Sequence, residues 1–299
     1  MEIIRISLNY QVKLDNLSLC LGYFDALHLG HLSLINKAKN LNTKVGVLTM
    51  NPNPSSFFSN DVKEVNSIED KIEILESVGV DYFIILETNK ELLSISKEDF
   101  VSKILLPLGV KNIVCGFDYH FGKERSGNPE YLKSRSEFNT YVCEEVLIDD
   151  TKVSTTLIKE LLSLGEVKKV NSLLTRDYQI KGKVIQGNSL GHTIGFPTAN
   201  IALDKSRIYP KNGVYSGYLE VEGKRYLAMI NLGIHPTVNK LDYEIAEAHV
   251  IDEHLDLYDK EVKIIFKEYI RDEKRFNTLD ELVNQLNFDK KMIKENAND

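Results

Sequence analysis

Positive charge is in short supply in this 299-residue chain, where 37 Lys and Arg face 44 Asp and Glu for a formal net charge of −7. That balance excludes broad electrostatic attraction to nucleic acid or to an anionic membrane, so a phosphate-bearing partner has to be captured locally. Long apolar runs are missing as well. No uncharged apolar stretch reaches the roughly 18 residues of a membrane span, and the opening Met1-Glu2-Ile3-Ile4-Arg5 carries no extended apolar segment. A cytoplasmic protein is expected. The three cysteines, Cys20, Cys115 and Cys143, are odd in number, far apart and mostly set in apolar runs, which signals neither a disulfide framework nor a zinc site. Reduced, buried thiols are expected. With only 7 prolines, no low-complexity tract and no internal repeat, the chain has the composition of a folded protein, 42% hydrophobic and 27% charged.

The length exceeds what one hydrophobic core usually supports, and two textures divide it. From Leu17 to about Val146, short apolar runs alternate with helical patterns. Leu17–Leu21, Val45–Leu48, Tyr82–Leu86 and Val110–Cys115 read as strands; His31–Leu41, a capped Ser67–Val78 and Phe100–Leu108 read as helices. Such alternation predicts a Rossmann-like, doubly wound parallel sheet. After about Asp177 helical patterns nearly vanish. Gln179–Gln186, Gly213–Val221, Lys224–Asn231, Glu247–Ile251 and Val262–Ile270 read as strands of a small antiparallel barrel, followed by a C-terminal helix with a capping-box start at Thr278. The predicted division is 1–176 and 177–299.

In the first half, Gly22-Tyr23-Phe24-Asp25-Ala26-Leu27-His28-Leu29-Gly30-His31 leaves the first strand and enters the first helix. His28 and His31, three apart at a glycine-containing turn, can present ring N–H groups together with helical backbone N–H groups to one polyphosphate. They would stabilise charge developing at a nucleotide α-phosphate. Further on, Ser154 reads as an N-cap, and the hydroxyls of Thr155 and Thr156 with first-turn N–H groups can bind phosphate oxygens. In the second half, Gly187, Gly191 and Gly195 recur every fourth residue. Pro197 and the flanking strand patterns argue against a helix and for loops that bring backbone N–H groups close to a ligand. Thr198 and Asn200 point the same way from an extended strand and can supply hard oxygen ligands to Mg²⁺. No Walker motif is present, because Gly122-Lys123, Gly182-Lys183 and Gly223-Lys224 are followed by Glu, Val and Arg.

These motifs carry a resemblance. The decapeptide Gly22–His31 is similar to the HxGH signature of the nucleotidylyltransferase superfamily, in its flavin-specific form, and Gly116-Phe117-Asp118-Tyr119-His120-Phe121-Gly122 with Arg125, and Val153–Lys159, match the same branch. The run Gly187–Ile201, with Gly-Phe-Pro-Thr-Ala-Asn at its centre, resembles the riboflavin kinases. So do Gly213-Val214-Tyr215, Asn231–Thr237, Glu247-Ala248-His249, Leu257-Tyr258 and Arg271-Asp272-Glu273. From about Gly22 to Asp289 the chain resembles the bifunctional riboflavin kinase/FAD synthetase family of prokaryotes.

The resemblance implies an FMN adenylyltransferase domain followed by a riboflavin kinase domain. Riboflavin and ATP would give FMN at the barrel, and FMN and ATP would give FAD and pyrophosphate at the first domain, each with Mg²⁺. It assigns nucleotide contacts to Gly22, Phe24, Asp25, Gly30, Lys159 and the glycine-rich loop, and flavin contacts to Asp118, Phe121, Arg125 and Arg271. Glu247 takes the place of the catalytic carboxylate, which would deprotonate the ribityl 5′-hydroxyl. Five positions depart from the family pattern: Ala26 stands for Gly, Asn53 for His, Leu157 and Lys159 for Arg, and His192 for Arg. Losing arginine character at 157 and 159 motivates an alternative in which only the kinase is competent. A nucleic-acid-binding small barrel is a further alternative, disfavoured by the acidic charge and the absence of basic, aromatic-interleaved strands. A monomer or weak homo-oligomer, with small molecules as partners, is expected.

Overall fold

A computed structural model describes residues 1–186, 190–235 and 243–297. It divides into two compact units, Met1–Leu157 and Ile158–Asp299.

The first unit is a six-stranded, wholly parallel sheet. Its strands are β1 (Glu2–Ile6), β2 (Leu17–Leu21), β3 (Lys44–Asn51), β4 (Tyr82–Glu87), β5 (Val110–Gly116) and β6 (Asn139–Cys143), in the order β1-β4-β3-β2-β5-β6. Alternate side chains of each strand feed two separate cores. Leu17, Leu19 and Leu21 pack with Phe100, Ile104 and Leu105 on one face, while Cys20, Phe83 and Ile85 pack with α1 (Leu29–Lys39) and α2 (Ile68–Ser77) on the other. Helices on both faces are what a sheet apolar on both sides requires. Ser67 caps α2 through a reciprocal capping box with Asp70. The helix expected over Phe100–Leu108 begins earlier, as α3 (Lys90–Ser94) and α4 (Lys97–Phe100), and α4 widens into a π-helical turn at Val101–Leu105. The strand order reverses beside β2, so the loops leaving β2 and β5 flank one crevice at the carboxyl end of the sheet. Those loops carry the Gly22–His31 and Gly116–Gly122 motifs. The unit continues through α5 (Pro129–Lys133) and a hairpin of β7 (Leu147–Ile148) and β8 (Thr151–Lys152).

The division between the units falls inside α6 (Thr155–Leu164). In the second unit, α7 (Val167–Leu174) precedes six antiparallel strands: β9 (Gln179–Lys183), β10 (Ala199–Ala202), β11 (Gly213–Val221), β12 (Lys224–His235), β13 (Tyr243–Val250) and β14 (Glu261–Arg271). Their order is β10-β13-β12-β11-β14-β9, and the bridge between Ile185 and Asn200 brings the two edges together, giving the expected small barrel. This near-closure shortens the exposed strand edges. The C-terminal helix, numbered α9 (Leu279–Asn296), is capped by Thr278, whose hydroxyl accepts from the Glu281 amide; it packs Ile293 and Leu286 on Phe196, Val214 and Met229 of the barrel. Between β9 and β10 lies one short helix, α8 (Leu190–Thr193), where the sequence suggested only loop. Its single turn is closed off by the Phe196 amide donating to the Gly191 carbonyl at 2.7 Å. Gly195 then reverses the chain at φ 80°, a left-handed conformation open to glycine.

Cys20 and Cys115 are fully buried and Cys143 is half-buried; all three are free thiols. Burial pushes the Cys115 thiol up to about 12, which keeps it protonated and inert.

Candidate active sites

The loop after β2 is folded by unusual backbone and a buried carboxylate. Phe24, Ala26 and Leu27 all have positive φ, at 55°, 68° and 48°. Ala26 therefore holds a conformation that glycine would adopt without strain, at the position where the family pattern has Gly. What compensates is Asp25. Its Oδ1 accepts from the backbone amides of Ala26 (3.0 Å), Val65 (2.9 Å) and Asn66 (3.0 Å), which fastens the loop to the segment preceding α2. A second fastening lies one residue earlier. The Tyr23 carbonyl accepts from Thr49 Oγ1 at 2.7 Å and from the fully buried Lys71 ammonium at 3.4 Å, and Lys71 also sits 4.1 Å over the Tyr23 ring and 3.7 Å from Glu64. The Tyr23 hydroxyl donates to Glu64, and burial first, then that carboxylate, pushes its pKa far up.

The two histidines emerge from this scaffold as a stacked pair. His28 is the N-cap of α1, and its Nδ1 accepts from the Gly30 amide at 3.1 Å, so the proton of the neutral ring is on Nε2. Its ring lies 3.9 Å from that of His31 at 26°, and His31 in turn meets Phe24 at 5.0 Å. Gly30 allows a close approach: a Cβ there would stand 3.1 Å from the His28 ring and 3.6 Å from the Val153 carbonyl. The Ser/Thr motif is thus alongside. Thr155 Oγ1 donates to the Asp25 carbonyl at 3.0 Å, and Ser154 Oγ accepts from the Leu157 amide at 3.2 Å, capping α6. Two helix N-termini and two imidazoles therefore meet at the crevice, a set of donors suited to a polyphosphate.

After β5, Asp118 pairs with Lys152 at 2.6 Å, and Lys152 lies 4.5 Å over Phe117. The His120 Nδ1 donates to the Asp118 carbonyl at 2.8 Å, and Arg125 lies 3.4 Å from the same nitrogen. Phe121, expected at the flavin, is only 4% exposed and packs against Phe100, Tyr119 and Tyr131. Its ring anchors the loop, and Phe117, 41% exposed, is the aromatic that the loop presents outward. Asn53 caps the turn after β3 by accepting from the Ser55 amide.

In the barrel, register brings distant residues into a row. Asn200 of β10 lies opposite Glu247 of β13, which lies opposite Asn231 of β12, then Val214 of β11 and Arg271 of β14. Directly opposed residues share a face, and all five line one cavity of about 400 Å³ between the barrel wall and the α9 residues Leu282 and Leu286. Gly191 and Thr198 line it too. Arg271 is held by a fully buried Asp289 of α9, with Nε at 2.9 Å and Nη2 at 2.7 Å. Gln285 donates to the other Asp289 oxygen at 2.8 Å. Thr198 also lines a second cavity of about 360 Å³, formed with Val184, Ala248 and the Glu253–Tyr258 loop, and so stands in the wall between the two.

Residues 11–157 match the FAD synthetase family and residues 174–297 the riboflavin kinase family. A Listeria monocytogenes protein named bifunctional riboflavin kinase/FMN adenylyltransferase is 34% identical over 283 residues, covering 92% of this chain and 90% of its own. Its Bacillus subtilis namesake is 34% identical, over 91% of this chain and 90% of its own. The chain belongs to the bifunctional riboflavin kinase/FMN adenylyltransferase family.

Among solved structures, a Streptococcus pneumoniae protein described as a macrolide-efflux protein superposes with a TM-score of 0.89 at 28% identity, over 97% of this chain and 99% of its own. It shows that the two-unit fold is shared. No helix among the described residues is long and apolar enough to cross a membrane.

Within the family frame, His28, His31, Gly30, Ser154 and Thr155 are brought together, as are Gly191, Thr198, Asn200, Glu247 and Arg271. Asp25 spends its Oδ1 on backbone amides, a positioning role. Gly187 lies outside the described residues, and Gly195 has a turn-forming conformation. Asn231, His249 and Glu273 line the kinase-side cavity without having been singled out for a role. Strand alternation, which puts His249 on the same face as Glu247, was the signal that could have found His249, whereas Asn231 depends on the register of β12 against β13.

Proposed function

We propose that this chain phosphorylates riboflavin to FMN in its barrel unit and adenylylates FMN to FAD at the Rossmann-like crevice, with ATP as co-substrate in both steps. The adenylyltransferase is assigned to residues 1–176 and the kinase to 177–299, in a cytoplasmic enzyme acting as a monomer or weak homo-oligomer on small molecules, without nucleic acid.

The observation that carries the kinase reading is the row Asn200–Glu247–Asn231 in the wall of a cavity whose neighbour shares Thr198. Glu247 would accept the proton of the riboflavin 5′-hydroxyl as its oxygen bonds to the ATP γ-phosphorus and the bond to ADP breaks. Arg271, oriented by Asp289, faces the flavin side. Mg²⁺ is the ion for which the donors fit. The Asn200 side-chain amide N–H donates to the Thr198 carbonyl at 3.2 Å, which leaves its amide oxygen as an acceptor, and Thr198 and Asn200 line the same cavity. Held there, Mg²⁺ would neutralise phosphate charge.

At the crevice an FMN phosphate oxygen would bond to the ATP α-phosphorus as pyrophosphate leaves. His28, His31, Ser154, Thr155, Thr156, Lys159 and the first-turn amides of α1 and α6 support the developing charge. Gly22, Phe24 and Asp25 hold the loop that presents them. Asp118 and Arg125 are proposed on the flavin side of that site, with Phe121 behind them.

Purified protein incubated with riboflavin, ATP and Mg²⁺ should form FMN and then FAD when the flavins are separated over time. FMN accumulating alone would select the kinase-only reading raised by Leu157 and Lys159; no product would overturn both. His31→Ala should stop FAD formation from FMN and spare FMN formation, and Glu247→Gln should do the reverse.

A further inference from the structure

The β10–β13 ladder stops at the pair Ala199–Ala248. Thr198 and Pro197 lie one and two residues before β10, at the wall between the two cavities and beyond the end of the ladder. His249, the next residue of β13, bridges that gap with its side chain. Its Nδ1 lies 2.9 Å from the Pro197 carbonyl, an acceptor only, so the ring donates there. The imidazole is 5% exposed, lines the larger cavity and is backed by Phe196 at 4.9 Å and 52°. On its other side β13 is paired normally, His249 lying opposite Met229.

From this geometry we propose that His249 is a positioning residue for phosphoryl transfer: its Nδ1–H takes the place of a missing ladder donor and fixes the Pro197–Thr198 peptide, and with it the Thr198 side chain between nucleotide and flavin. The idea rests on the kinase reading above. Since the ring grips the backbone carbonyl next to Thr198, its loss should act on alignment. A displacement of about 1 Å in a transfer site is enough to lower a rate by roughly a hundredfold.

The test starts from wild-type conversion of riboflavin to FMN; failure there defeats the kinase reading itself. Given that activity, His249→Phe, which keeps the ring volume without the donor, should lower kcat for FMN formation at least about tenfold, with the riboflavin KM changed less than about threefold. His249→Asn, whose amide nitrogen can reach the same carbonyl, should recover most of the loss. Adenylylation of FMN by the same molecules reports that the chain is intact. An unchanged kcat in His249→Phe, a loss in KM alone, or an Asn variant as poor as the Phe variant would overturn the proposal. A folding-independent check is ¹⁵N NMR of the wild-type histidines: the Nδ1–H tautomer is expected at His249, and the Nε2–H tautomer would refute it.

Discussion

The His28 imidazole lies 3.1 Å from where a Cβ at Gly30 would stand, close enough that it would have to give by a few tenths of an ångström, and from there it accepts the Gly30 amide at 3.1 Å. The glycine between the two histidines therefore gives the first one's ring room to sit against the start of the helix. Gly30→Ala should shift the ring within its stack with His31 and lower FAD formation from FMN, as expected of a misplaced donor. FMN formation, measured on the same sample, should stay at the wild-type rate.

Three backbone amides converge on one Asp25 oxygen in a residue only 4% exposed. Asp25→Ala would strand those donors away from water, at about 1–3 kcal/mol each where solvent cannot reach. A destabilisation of about 3 kcal/mol or more of the first unit is expected in chemical denaturation. Asp25→Asn keeps an acceptor oxygen and should lose less.

The pair between Arg271 and Asp289 predicts an asymmetric double-mutant cycle. Arg271→Met leaves a carboxylate that is 1% exposed without its cation, and should cost about 3–5 kcal/mol in unfolding free energy. Adding Asp289→Leu to that variant should recover a large part of the loss, because the uncompensated charge is gone. If the double variant is no more stable than the single one, the pair is not the source of the effect.

At the other side of α9, Lys290 (2.7 Å) and Lys294 (2.6 Å) both grip Asp252. Hydrogen bonds from the two ammonium groups hold its carboxyl at about 2, below the ordinary carboxylate range. A depressed carboxyl pKa stabilises the folded state fully above the unfolded pKa, and that contribution is lost as pH falls from about 4 towards 2. The stability difference between wild type and Asp252→Asn should accordingly be largest at neutral pH and low salt, and shrink on acidification. The group is exposed, so added salt should shrink it as well.

His249 adds a second pH trend of the same sign. Burial, and then Lys290 and His254, hold its ring below the usual imidazole range against the opposing pull of the Pro197 carbonyl and Asp252. The unfolded chain binds that proton more readily, so stability should fall as pH drops below about 6.5. In His249→Asn the drop through pH 6 should be shallower, as read by thermal unfolding across pH 5–8.

Elements whose signal is local were legible in the sequence. β2 and β11 occur over the stretches read as strands, and Ser67 and Thr278 cap the helices they were expected to start. Five- to nine-residue apolar runs and i to i+3 caps depend on neighbours in the chain. β1 and β6 were not legible: each is a five-residue edge strand with mixed polarity, stabilised by its pairing with β4 or β5. The one-turn helix at Leu190–Thr193 is too short for periodicity to mark.

The sequence by itself determined the two textures, the motif residues and the family they resemble, because each motif is a short run whose residue types and spacing are set by chemistry within that run. Only tertiary structure decided what those residues do to one another. Strand order put the loops after β2 and β5 beside one crevice, and antiparallel register aligned Asn200, Glu247, Asn231 and Arg271. It also gave Asp25, Asp289 and His249 their partners. Those contacts join residues far apart along the chain, and a pairing shifted by a single residue would send each side chain to the opposite face.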